Sequence, residues 1–303
     1  MSEIVHIRSI NDINEMLGYE KPRHPMITVI DLSKVALPIA DKTIKVLSDL
    51  YSVNFKTKTH GQVKYGRSVI DFDEGCLYGI APQQVTEFTH DKEVSKMEGW
   101  VLYFHPDLIK GYALHDKIAD YGFFSYDTNE ALHLSEKEQN TLNGVIHQIQ
   151  EEYETNIDEF SQDVLVSNIE LLLSYIKRYY GRQFITRKSQ NTSFLADFER
   201  LLKEYLMIEN IQEKGLPTVH YFAENLHLSA SYLSDLLKKE TGKNAQEHIH
   251  YHLIEKAKHL LLNSNAPVSE ISHNLGFEYS QYFSRVFKKK TGLSPSQFRA
   301  SLN

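Results

Sequence analysis

Cysteine is all but missing from this chain: Cys76 is the only one among 303 residues. It has no partner for an internal disulfide and excludes a cysteine-built zinc site, and a reducing cytoplasm suits it. Long apolar runs are also missing. None approaches the roughly 18 residues that a membrane-spanning helix needs. The opening residues Met1-Ser2-Glu3-Ile4-Val5-His6 lack the basic stretch and apolar run of a secretory signal. Positive charge is in deficit, with 33 Lys and Arg against 40 Asp and Glu and a net charge of −7. That balance excludes a chain that is basic along its whole length. At 41% apolar and 24% charged the composition is globular, and the length suggests two domains.

What the chain does have is a repeat. Residues 225–242 return, with changes, as residues 274–292. Tyr232 matches Tyr282, Leu233 matches Phe283, Ser234 matches Ser284 and Leu237 matches Phe287. Lys-Lys-x-Thr-Gly ends both copies. Each copy reads as a short helix, a tight turn, a second helix and a glycine stop, the helix-turn-helix pattern in tandem. A period of about fifty residues is too long for most solenoids, and two copies are too few.

In the first copy Val219–Leu226 is the expected supporting helix, with Phe222, Ala223 and Leu226 inward. His227 takes the turn, where a positive φ is required and His is tolerated. Ser229 caps a reading helix over Ala230–Lys239. Its Leu233, Leu236 and Leu237 face inward, and Ser231, Ser234, Asp235 and Lys238 face out. In the second copy Val268–Leu275 supports, Gly276 turns, and Tyr279–Lys289 reads. Phe283, Val286 and Phe287 face inward; Ser280, Gln281, Ser284, Arg285 and Lys288 face out. A helix fits the major groove of DNA, so these side chains are the candidate contacts. Arg285 can donate twice to guanine, and Gln281 can pair with adenine. Lys288 and Lys289 suit phosphates. Asp235 can accept from cytosine N4, or is a solvated charge that orients a basic neighbour. Residues 248–262 read as one long helix joining the copies. Its His248 and His252 stand four apart, but no third metal ligand is evident.

Charge divides along the chain. Residues 211–303 hold eleven Lys and Arg against eight Asp and Glu, leaving 22 against 32 in residues 1–210. The imbalance is either a division of labour, with an acidic part that repels DNA from the wrong face, or ordinary surface scatter. Residues 25–105 carry β-branched and aromatic runs at Met26–Asp31, Leu50–Thr57, Gly61–Ile70, Cys76–Ala81, Gln84–Phe88 and Gly99–Phe104. Such spacing predicts a β-sandwich or small barrel. From Ser135, with Glu138 three residues on, the period becomes helical through Leu142, Val145, Ile146, Ile149 and Tyr153. A second helix carries Val164, Leu165, Ile169, Leu172, Leu173 and Ile176. This pair either forms a dimer interface or packs on the sheets. The organisation expected is α+β: residues 1–180 as a β-rich domain with a helix pair, 181–192 as a linker, and 193–303 as an all-α domain with two helix-turn-helix units.

The stretch Ile271-x3-Leu275-Gly276-Phe277, then Tyr282-Phe283-x-Arg285-x-Phe287-Lys288 and Gly292-x2-Pro295-x2-Phe298-Arg299, resembles the signature of the AraC/XylS family of bacterial transcription regulators. The resemblance covers about residues 195–303. It implies a seven-helix domain whose two reading helices enter adjacent major-groove segments, and it makes double-stranded DNA the partner, with RNA polymerase a further one. Leu253 departs from a position that is often basic in the family, and Asp235 makes the first reading helix less basic than many. The β-rich part is similar to the cupin-type sensor domain of many members, on Tyr65-Gly66-Arg67, the turn from Phe72 to Gly75 and the helix pair. That likeness implies a small effector or a homodimer. Candidate pocket residues are Tyr51, Phe55, Tyr65, Arg67, Tyr78, Trp100, Tyr103 and His105, each with plain core packing as the alternative. Metal-binding cupins use His-x-His, which is lacking in residues 1–135, so no metal, cofactor or catalytic residue is expected. Three functions compete: an effector-controlled regulator, a DNA-binding protein whose first domain only dimerises, and a cupin enzyme with a DNA-binding tail. Cys76, in a strand, is expected to be buried and inert.

Overall fold

A computed structural model describes residues 4–35, 43–59, 63–65, 68–70, 75–89, 97–126, 130–154, 158–186, 188–207, 211 and 214–300. The chain divides into two compact units, Met1–Thr186 and Arg187–Asn303.

In the first unit ten strands are described: β1 (Ile4–Ile7), β2 (Ile27–Asp31), β3 (Thr43–Ser48), β4 (Tyr51–Thr59), β5 (Val63–Tyr65), β6 (Ser68–Ile70), β7 (Cys76–Ile80), β8 (Val85–Thr89), β9 (Met97–Phe104) and β10 (Leu132–His133). Among the described residues they form two five-stranded sheets, in the orders β1-β3-β8-β5-β6 and β10-β7-β4-β9-β2. Among the described residues the two sheets do not join into the closed ring of a barrel. Strands β1, β3 and β10 escaped the pattern reading. β10 is two residues long, and β1 is held by parallel pairing with β3, from Ile4 opposite Lys45 to Ile7 opposite Ser48, which no local signal announces.

Register sorts the β4–β9 side chains. Tyr51 pairs with Phe104, Val53 with Leu102 and Phe55 with Trp100, so these six share one face of their sheet. That face carries α3 (Glu136–Glu154) and α4 (Ser161–Thr186), after the short α1 (Ile10–Met16) and α2 (Ala113–Lys117). The Trp100 indole N–H donates to Asn143 Oδ1 at 2.9 Å. The backbone N–H of Val29 donates to the Tyr153 hydroxyl at 3.2 Å. Gly99 sits at φ +130°, and a Cβ there would meet the Phe55 carbonyl oxygen at 2.1 Å. Only glycine permits that closeness, next to the register shift between Lys56 and Lys58.

One of the two alternatives for the apolar stripe of α4 is excluded. Leu165, Ile169, Leu172, Leu173 and Ile176 are each 0% exposed; the stripe offered as a dimer interface is consumed inside the unit, because its apolar side chains pack there on folding. Within residues 181–192, expected as a linker, the described residues are helical, and the boundary between the two units falls there. α4 runs to Thr186 and α5 (Lys188–Tyr205) begins two residues later. Beyond Gly181, Gln183 and Phe184 are buried. Gln183 accepts from His133 N at 2.8 Å and donates to Ala131 O at 3.2 Å. Polar composition reads as a connector, yet these side chains extend the buried face of α4.

The second unit is helical: α5, α6 (Val219–Asn225), α7 (Ala230–Thr241), α8 (Ala245–Asn263), α9 (Val268–Asn274), α10 (Ser280–Thr291) and α11 (Pro295–Ala300). One core runs through it. Phe198 and Leu202 of α5, Phe222 and Ala223 of α6, Leu233 and Leu237 of α7, and Phe283 and Phe287 of α10 all belong to it. Ile249, Leu253, Ala257 and Leu261 line the α8 face that carries it. Leu253, 1% exposed, is a core residue, which accounts for an apolar side chain there.

Candidate nucleic-acid interface

Each copy of the repeat folds by local rules. Thr218 caps α6, its side chain accepting from Tyr221 N at 3.2 Å. His227 then turns the chain at φ +56°, and Leu228 N donates to Ala223 O at 2.9 Å. Ser229 caps α7 by accepting from Tyr232 N at 3.1 Å. Gly242, at φ +79°, ends it. In the second copy the turn is made by Gly276 at φ +80°, where a Cβ would lie 2.8 Å from the backbone of Gly215 and Leu216. This position needs glycine for space as well as for φ, whereas the first copy tolerates His227. Tyr279 is not inside the reading helix, as expected from sequence, but is its N-cap, and its side chain forms no capping bond. Gly292 ends α10 at φ +82°.

α7 and α10 both pack against α8. Leu233, Leu236 and Leu237 of α7 and Phe283 and Phe287 of α10 are buried; Val286 is half-buried. On the other side of α7, Ser231, Ser234 and Asp235 are half-buried and Lys238 is exposed. On α10, Gln281, Arg285, Lys288 and Lys289 are exposed, Ser280 and Ser284 are half-buried, and Tyr279 is 65% exposed. The second copy therefore presents a cationic outer face, while the first presents small polar groups, a carboxylate and a lysine. Cations suit phosphates, and donor-acceptor side chains suit base edges.

Sequence reading missed Tyr282. It aligns with Tyr232, which is 5% exposed, but is itself 41% exposed. Its ring carries the Arg285 guanidinium at 5.3 Å. The three-residue spacing to Arg285 was the available signal. Arg299 also acts at a distance from any outer face: it donates to Leu261 O at 3.1 Å and Ala266 O at 2.7 Å, closing the end of α8. His248 lies 2.7 Å from Thr241 Oγ1 and edge-on to Phe198. Burial, with the nearby charges of His252 and Lys243, holds its imidazole below the usual range. Among the described residues no group of three His, Cys, Asp or Glu is placed to hold a metal.

The eight pocket candidates do not converge. Tyr51, Phe55 and Trp100 lie on the face beneath α3 and α4, whereas Tyr78 pairs with Asn54 and Tyr103 with Ser52 on the opposite face. Strand alternation splits them, which a residue list could not foresee. His105 belongs to neither face; it caps a 3-10 turn, accepting from Asp107 N at 3.1 Å. Tyr65 lies in β5, and Arg67 lies outside the described residues. The structure instead brings together Ser52, Asn54, Lys56 and Tyr78, all buried on the face opposite α3. Tyr103 of that face reaches the cluster of Ile7, Ile10, Ile13, Val46 and Leu50. Under α3 a groove of about 580 Å³ is lined by Asp31, Phe55, Glu98, Trp100, Asn143 and Gln150 among others. Cys76 is buried, with His133 Nδ1 3.6 Å from its sulfur.

Known proteins resemble part of this chain. A helix-turn-helix domain family model matches residues 222–301. Over 78 residues, 26% of this chain, it is 42% identical to the arabinose operon regulatory protein of Escherichia coli K12, covering 27% of that protein. Over 144 residues, 48% of this chain, it is 31% identical to the uncharacterized HTH-type transcriptional regulator YfiF of Bacillus subtilis 168, covering 42% of it. The solved C-terminal domain of the two-component response regulator yesN from Fusobacterium nucleatum is 38% identical, with 30% of this chain and 93% of that one covered at a TM-score of 0.27. The chain thus spans less than half the length of these curated relatives.

Proposed function

We propose that the chain, whose residues 222–301 match a helix-turn-helix domain family model, is an AraC-family, sequence-specific, DNA-binding transcription regulator rather than an enzyme, working in the cytoplasm. The observation that carries the reading is the outer face of α10, where Gln281, Arg285, Lys288 and Lys289 stand exposed on a helix whose other side is core. Arg285 and Gln281 read base edges, and Ser280, Ser284, Ser231, Ser234 and Asp235 adapt to neighbouring positions. Tyr279, Lys238, Lys288 and Lys289 hold the backbone. The anchoring of α7 and α10 on the single helix α8 supports their acting as one reader.

The first unit is, on this reading, a cupin-like sensor that binds a small effector and shifts the population competent for DNA and for RNA polymerase. The buried polar side chains Ser52, Asn54, Lys56 and Tyr78 and the groove under α3 are the places that support an effector. A homodimer would use the outward row of α4, Val164 at 39% and Leu171 at 42% exposed, with Phe160 before it at 62%. Two-fold pairing is the commonest way to cover such a row.

The test is a binding selection on randomised duplex DNA. Arg285→Ala and Gln281→Ala should each relax preference at one base position, by about 1–3 kcal/mol. Lys289→Ala should weaken all sequences alike. Uniform weakening by Arg285→Ala would make Arg285 a phosphate clamp and defeat the base-reading assignment.

A further inference from the structure

The two copies of the repeat differ jointly at two positions. In the first, Tyr232 is 5% exposed and the residue three positions on is Asp235. In the second, Tyr282 is 41% exposed and the residue three positions on is Arg285. Where the tyrosine comes to the surface, a cation rests on it, with the guanidinium carbon 5.3 Å from the ring centre. The tyrosine is itself held. Its ring lies 5.9 Å from that of Phe277, which is 2% exposed and whose N–H donates to Ser272 O at 3.0 Å. Phe277 follows Gly276, so the turn, the buried phenyl ring, the exposed phenol ring tilted 53° to it and the guanidinium form one continuous chain of contacts. Among the described residues no carboxylate forms an ion pair with Arg285, and the ring is what holds it.

An exposed arginine has many rotamers, and a fork that reads guanine must present two N–H groups in one plane. An aromatic face attracts the planar guanidinium and orients it. Rotamer freedom removed before binding is not lost again on binding. A mobile Arg285 would also reach phosphates as readily as bases, and phosphate contacts carry no sequence information.

We propose that Tyr282 is a positioning residue that presets Arg285 for base reading and so determines sequence preference at the position Arg285 contacts. This rests on the reading of Arg285 given above. The residue missing from the first copy, an exposed aromatic under a cation, makes the second copy the more discriminating reader.

The experiment uses the full chain and the DNA chosen by selection, with each base of the selected site varied in competition binding. Tyr282→Leu should lose, roughly tenfold, the preference at the one position that Arg285→Ala loses, with affinity for random DNA unchanged. Tyr282→Phe, which keeps the ring face, should retain the preference. The double variant Tyr282→Leu with Arg285→Ala should be no worse than Arg285→Ala alone. Melting curves confirm folding, which an exposed side chain should not disturb. Preference intact in Tyr282→Leu, or lost in Tyr282→Phe, overturns the inference while leaving Arg285 as the reader. A double variant worse than Arg285→Ala overturns it too, since Tyr282 would then touch DNA itself. No base effect of Arg285→Ala overturns both this and the assignment on which it rests.

Discussion

Gly276 and Gly242 share nearly the same backbone angle, φ +80° and φ +79°, but not the same surroundings. A Cβ at Gly242 meets nothing within 4 Å; one at Gly276 meets the backbone of Gly215 and Leu216 at 2.8 Å. Gly242→Ala should therefore cost only the left-handed penalty of about 1–2 kcal/mol, and Gly276→Ala clearly more, since backbone must move. Denaturant titration of the two variants checks the order. His248 supplies a second residue-scale test. Burial holds its folded-state pKa below the value of 6.5 for the free side chain. The unfolded chain then binds the extra proton first. The stabilisation is complete above about pH 6.5 and is lost as pH falls toward the folded value. Thermal melts should decline on acidification through that window, and His248→Gln should flatten the decline. Turn residues such as these were readable in sequence because φ is a local property. The exposure of Tyr282 was not, since it depends on what Phe277 leaves uncovered.

At the scale of elements, α4 has two apolar rows with opposite fates. Leu172 is 0% exposed and Leu171 is 42% exposed. Leu172→Ala should destabilise the first unit by about 2–5 kcal/mol without changing mass in sedimentation. Leu171→Glu should leave the melt nearly unchanged and, on the dimer reading, lower the sedimenting mass to that of one chain. A mass unaffected by Leu171→Glu would reject this row as an interface. The same contrast explains Leu253: a basic side chain there, expected on family grounds to add a polar contact, would enter the core of α8. Leu253→Arg should unfold the second unit rather than tighten DNA binding, as circular dichroism would report. Helical period told which residues of α3, α4, α7 and α10 are apolar together. It did not tell whether a stripe meets its own chain or another.

For the whole molecule, charge is the relevant quantity. The chain carries −7 overall, yet its exposed cations on α10 stand on the unit expected to meet DNA. Each phosphate neutralised should release counterions, so log K for the full chain should fall by about 0.9 per contact against log salt. Binding that stayed constant between roughly 50 and 200 mM salt would remove phosphate contacts from the account. Lys289→Ala should reduce the slope by about one. Net charge alone would have argued against such binding, and only its distribution along the chain argues for it.

The second unit was legible from sequence almost throughout because its information is local. Caps at Thr218 and Ser229, stops at Gly242 and Gly292, and apolar residues three and four apart each act within a turn or two of backbone, and the repeat states them twice. The first unit was legible only as a set of strands and a pair of helices. Which strands pair, which face each side chain takes, and where α4 ends are decided by contacts between residues far apart in the chain. The parallel pairing of β1 with β3 and the division of Tyr51, Phe55 and Trp100 from Tyr78 and Tyr103 are of this kind. A shift of register by one residue would exchange the two faces, and no run of neighbours along the chain records which register the folded sheets adopt.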